Sequence, residues 1–93
     1  MNYKIYLSGH LKEFSNGQTE IDVGGNHRTV GDILSTLWSV HLGLRDRVLT
    51  EQGEIRPHVN IYYHGEDIRR QHGLQTQIDA GSELHIFNAI SGG

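Results

Sequence analysis

The chain contains no cysteine. That removes disulfides, a thiolate nucleophile and any cysteine-based metal site, and it fits a reducing compartment. Proline occurs once, at Pro57, so the polar stretch around it reads as a connection. No apolar run is long enough to span a bilayer, and the opening "MNYKIYLSGH" goes straight into strand alternation without a charged-then-apolar leader. The expectation is a cytoplasmic protein with no membrane partner. There is no excess of positive charge: 8 basic side chains face 11 acidic ones, for a net charge of −3. Basic runs are absent too, which argues against a nucleic-acid partner.

Catalytic constellations are also missing. Seven histidines (His10, His27, His41, His58, His64, His72 and His85) are scattered without HxxxH or HExxH spacing, so no metal site is expected. No serine sits in a Gly-x-Ser-x-Gly elbow, and "DVGGN" lacks both the phosphate-loop lysine and the GxGxxG pattern. Nothing here runs a reaction alone. The chain is therefore not expected to be an enzyme, nor to bind a cofactor of its own.

What is present is one small domain's worth of alternating and helical pattern in 93 residues. "NYKIYL" puts Tyr3, Ile5 and Leu7 on one face and Lys4 and Tyr6 on the other. Ser-Gly and Asn-Gly turn signals follow, then "TEIDV" with Ile21 and Val23 inward, so residues 1–23 read as an antiparallel hairpin. Between Val30 and Leu42 the period becomes helical, with Val30, Ile33, Leu34, Leu37 and Trp38 on one stripe. Thr29 is the expected N-cap, Asp32 suits the first turn, and Gly43 is read as the stop of a helix of about four turns. "RDRVLTEQGEIRPH" reads as an irregular connection from which Val48 and Leu49 dip into the core. Val59, Ile61 and Tyr63 alternate inward, a His64-Gly65 turn folds back a short flap at Glu66 to Ile68, and Leu84 and Ile86 face inward on the last strand.

The pattern gives an α+β fold: a mixed four- to five-stranded sheet with one main helix on one face and the other face open to solvent. Residues 1–88 form the domain, and 89–93 read as a flexible tail. That tail ends "FNAISGG". Glycine loses the most freedom on ordering and packs nothing, so Gly92-Gly93 is either a frayed end or a working carboxylate.

Several segments together decide how this end is read. Val59-Asn60-Ile61-Tyr62, Glu66-Asp67-Ile68-Arg69, Gly73-Leu74, the "AGSEL" turn and the final Gly92-Gly93 resemble the MoaD/ThiS family of ubiquitin-like sulfur carriers. Within it they are most similar to the mycobacterial branch that feeds sulfur into cysteine synthesis. "LHIFNAISGG" also resembles the end of ubiquitin, although relatives often carry a proline where this chain has Asn88. The resemblance implies a β-grasp fold in which the first and last strands are parallel central neighbours.

It also implies a chemistry. An ATP-dependent adenylating enzyme would join the Gly93 carboxylate to AMP, and a sulfurtransferase or other sulfur donor would displace AMP to leave a thiocarboxylate. A sulfur-accepting enzyme, by resemblance cysteine-synthase-like, would then take the sulfur, and in some relatives a metalloprotease first exposes the Gly-Gly end. Physical reasons accompany this reading. A carboxylate needs a leaving group, the mixed anhydride must be shielded from water, and a narrow channel admits a chain without Cβ atoms at Gly92 and Gly93. Five residues beyond Asn88 span at most about 17 Å. Ser91, Ile90 and Ala89 would line the channel mouth.

Tyr6, Tyr62, His85 and Phe87 fall on the outward face of the sheet and read as a partner-docking patch, with ordinary cross-strand pairing as the other explanation. Three further functions stay open at this point. They are a ubiquitin-like modifier forming isopeptide bonds through Gly93, a molybdopterin synthase small subunit, and an interaction module with an inert tail.

Overall fold

The computed structural model describes residues 2–88, so the predicted site residues Ala89, Ile90, Ser91, Gly92 and Gly93 lie outside the described residues. The elements run β1 (Asn2–Leu7), β2 (Glu20–Gly24), α1 (Val30–Val40), α2 (Leu42–Val48), β3 (Val59–Tyr63), β4 (Glu66–Asp67) and β5 (Glu83–Asn88). Single turns of 3-10 helix at Lys12–Phe14, Ile68–Arg70 and Gly73–Gln75 fill the connections. The five strands form one sheet in the order β2-β1-β5-β3-β4. β1 and β5 are parallel, and all other pairs are antiparallel. This is the β-grasp arrangement, with the last strand in the middle of the sheet.

The period-2 patterns land as expected. Ile5, Ile61, Leu84 and Ile86 are fully buried, and Tyr3, Leu7, Ile21, Val23, Val59 and Tyr63 join them in the core. Burying each large aliphatic side chain stabilises the fold by roughly 1.5–3 kcal/mol. Both tight turns have the left-handed backbone that a two-residue reversal requires: Asn16 and Gly17 at φ 56° and 81°, His64 and Gly65 at φ 56° and 75°.

α1 covers the inner face through Val30, Ile33, Leu34 and Leu37. Thr29 caps it as predicted. Its side chain accepts from the Asp32 N–H at 3.2 Å, while the Asp32 carboxylate accepts from the N–H groups of Arg28 and Thr29, both at 3.1 Å. Those bonds hold the Asp32 carboxyl below its ordinary pKa, the Arg28 N–H contributing most and the Thr29 N–H next.

The helix does not run to Gly43. It ends at His41, whose φ of −122° and ψ of 78° break the ladder, and α2 then starts at Leu42. Gly43 lies inside α2 without a left-handed backbone and stops nothing. The break redirects the chain so that Leu44 and Val48 enter the core while Leu42 stays 76% exposed. The first part of the supposed irregular connection is therefore helical. Val48 and Leu49 are buried, as the sequence suggested. Among the described residues no helix is long and apolar enough to cross a membrane, and no group of three potential metal ligands occurs.

The capping box gives a direct test. Thr29→Ala should lower unfolding free energy by about 1 kcal/mol in urea denaturation at neutral pH. Asp32→Asn should also destabilise, and its effect should depend on pH. The folded pKa of Asp32 lies below the unfolded one, so its contribution is complete above the ordinary carboxylate range near about 4 and disappears as pH falls through the folded value. A wild-type minus Asp32→Asn difference that stays constant into strong acid would contradict this.

Candidate functional site

The outer face of the sheet is built by the alternate residues of the three interior strands. Register places His85 of β5 between Tyr6 of β1 and Tyr62 of β3, while Phe87 lies opposite Asn60. The rings form one connected patch. Tyr6 and His85 stack at 4.7 Å between centroids, His85 and Phe87 are near-parallel at 6.1 Å, and Tyr62 meets Phe87 edge-on at 5.5 Å. All four residues predicted for the docking patch are thus brought together. Phe87 is 43% exposed, one of few large apolar side chains this open, and it sits one residue before the end of β5.

Charge is unevenly distributed along this face. At the start of β5, the Tyr6 O–H donates to the Glu83 carboxylate at 3.1 Å, and Lys4 Nζ lies 2.7 Å from Glu20 and 3.9 Å from Asp22. The Lys4 amine is held above its ordinary pKa mainly by the Glu20 hydrogen bond and charge. The Tyr6 phenol is raised too, first by desolvation against its neighbours and then by Glu83. One cation against three carboxylates leaves this end acidic.

The opposite end, where β5 finishes, is basic. Arg47, Arg56 and His58 line a cleft of about 220 Å³ together with Asp46 and Asn88. Arg47 stacks over the Phe14 ring at 4.2 Å, and Arg56 donates to the Asp46 carbonyl at 2.7 Å. Among the described residues neither guanidinium has a carboxylate partner within salt-bridge range. Nearby, Arg69 donates to the carbonyls of Arg56 and Val59 and to Asn60 Oδ1, at 2.8, 2.6 and 3.2 Å, tying the start of β3 in place. The sequence reading missed this basic end, because the connection before β3 folds Arg56 back onto α2 and β3–β5 pairing brings Asn88 beside them.

Among the described residues no catalytic set appears elsewhere. A groove of about 340 Å³ beside α1 is lined by Thr29, Gly31, Asp32, Trp38, Leu74 and neighbours. Its one carboxylate, Asp32, is engaged in the capping box. The histidines remain dispersed, and His85 contributes a ring to the aromatic patch without meeting a metal-binding neighbour.

Comparison with known proteins agrees with the geometry. Residues 5–93 match the ThiS family. The chain is 30% identical to the sulfur carrier protein CysO of Mycobacterium tuberculosis over 95 residues, covering all of both chains. It is 37% identical to small archaeal modifier protein 3 of Haloferax volcanii over 65 residues, covering 70% of each. In three dimensions it superposes on a chain of the Amycolatopsis orientalis BexX/CysO complex with a TM-score of 0.86 at 26% identity, covering 98% of this chain and 99% of the other. The match of almost the whole chain, together with a β-grasp body carrying an aromatic outer face, places the chain in the ThiS family of small ubiquitin-like sulfur carriers and modifiers.

Proposed function

We propose that this protein is a sulfur carrier acting as a co-substrate, with the Gly93 carboxylate as its reacting group. An ATP-dependent adenylating enzyme of the ubiquitin-activating kind binds the outer sheet face and draws residues 89–93 into its active site. The Gly93 carboxylate oxygen attacks the α-phosphorus of ATP, pyrophosphate leaves, and a mixed anhydride with AMP forms. Sulfide, or the terminal sulfur of a sulfurtransferase persulfide, attacks the carbonyl carbon. The bond to the phosphate oxygen breaks, and AMP departs with the electron pair. Where a persulfide attacks, a second thiol then releases the thiocarboxylate from the acyl disulfide by forming a disulfide with the donor. The resulting thiocarboxylate donates sulfur in the biosynthesis of cysteine or another sulfur metabolite, in the cytoplasm.

One observation supports this reading above the others. The strand that carries His85 and Phe87 in the aromatic patch is the same strand that ends five residues before Gly93. A partner gripping Tyr6, Tyr62, His85 and Phe87 therefore holds the tail at a fixed origin, and the reach of about 17 Å lets Gly93 enter a site closed to water. The basic cleft at Arg47, Arg56 and His58 lies at that origin and fits an acidic rim around the partner's channel.

The likeness to small archaeal modifier protein 3 favours a second reading, in which activated Gly93 acylates lysines of other proteins. Both share the adenylation step and part at the product. Incubation with ATP, the adenylating enzyme and a sulfur donor should raise the intact mass by the difference between sulfur and oxygen. Conjugates of much higher mass would mark the modifier instead. Deleting Gly93 should abolish ATP–pyrophosphate exchange, and full exchange by the shortened chain would end both readings. Phe87→Ala should weaken binding to the adenylating enzyme roughly tenfold, about 1.4 kcal/mol, with little loss of stability. Titration calorimetry measures the first and urea denaturation the second.

A further inference from the structure

We infer that Ser8 is a positioning residue for the tail, its hydroxyl fixing the point at which the chain leaves β5. In a parallel pair every second residue of one strand exchanges backbone bonds with two residues of the other, so the rungs continue evenly. The β1–β5 ladder obeys this up to the Ser8 N–H, which donates to the Ile86 carbonyl at 3.0 Å. The next rung should join the Asn88 N–H to the Ser8 carbonyl. That carbonyl is already used: it accepts from the Leu11 N–H at 3.0 Å, the bond that opens the turn after β1.

The Ser8 hydroxyl oxygen takes its place and accepts from the Asn88 N–H at 3.0 Å. On the other side of β5, Val59 stands opposite Asn88, but its carbonyl accepts from Arg69 Nη2 at 2.6 Å. The Ser8 hydroxyl is therefore the partner recorded for the last described backbone donor of the strand. Without it the β1 side of the ladder ends at Ile86, β5 is held only by its pairing with β3 at Asn60 and Phe87, and the origin of the tail slips back by one residue. Since one extended residue spans about 3.5 Å, such a slip moves Gly93 by a distance that matters inside a narrow channel. The functional half of this inference rests on the carrier reading. The structural half does not.

Five chains test it: wild type, Ser8→Ala, Ser8→Thr, Asn88→Pro, and Asn88→Pro combined with Ser8→Ala. Amide exchange followed by NMR on the free protein reads the clamp directly. Ser8→Ala should speed exchange at Asn88 by about tenfold while leaving Ile86 protected, and Ser8→Thr should restore protection. In adenylation, Ser8→Ala should raise KM for the carrier several-fold with kcat largely kept. Asn88→Pro has no N–H to hold, so adding Ser8→Ala to it should change KM no further. Unchanged Asn88 exchange in Ser8→Ala, or a full additional KM loss in the double variant, overturns the inference. If the wild-type chain takes no adenylate at all, the carrier reading fails by itself and the exchange data still decide whether the clamp exists.

Discussion

The placement of β5 between β1 and β3 is the constraint on which the rest of the structure depends. Its backbone is paired on both sides, and its inner residues Leu84 and Ile86 are fully buried beneath α1. Because side chains alternate, fixing those two inward fixes His85 and Phe87 outward. Core packing and the exposed ring patch are thus two readings of one register. A slip of one residue would put Phe87 under the helix and Ile86 in water, losing the core and the outer ring patch together.

Around that strand the charges are segregated. Glu20, Asp22 and Glu83 gather near its start, and Arg47, Arg56 and His58 near its finish. A net charge of −3 conceals this arrangement, since it averages over two ends that behave oppositely. A partner meeting such a surface is oriented along the strand before close contact, and ring packing then sets the final fit.

Much of this was legible in the sequence, for identifiable reasons. Period-2 alternation named every inward residue of β1, β3 and β5 and hence Tyr6, Tyr62, His85 and Phe87 on the other side. Asn16-Gly17 and His64-Gly65 marked their turns because left-handed backbone has a strong residue preference. Parallel pairing of β1 with β5 came from the family resemblance and not from pattern. The reading failed at "LGLRDRV", where Gly43 looked like a stop and the arginines looked like loop. In the structure His41 makes the break, and Arg47 covers the Phe14 ring. Ser8 carried no signal, since its partner Asn88 lies 80 residues away and nothing local distinguishes that serine from one in any turn.

The position of β5 also bears on biosynthesis. Of the five described strands this one is synthesised last, yet the sheet has no middle without it, and β1 cannot find its parallel neighbour until then. Pairing across such a sequence separation is slow to nucleate. A chain cut short before Glu83 is left as a hairpin and loose helices with an apolar face uncovered, a natural target for proteases. Folding thereby works as an inspection step: any molecule that survives as a compact body has been translated at least through β5.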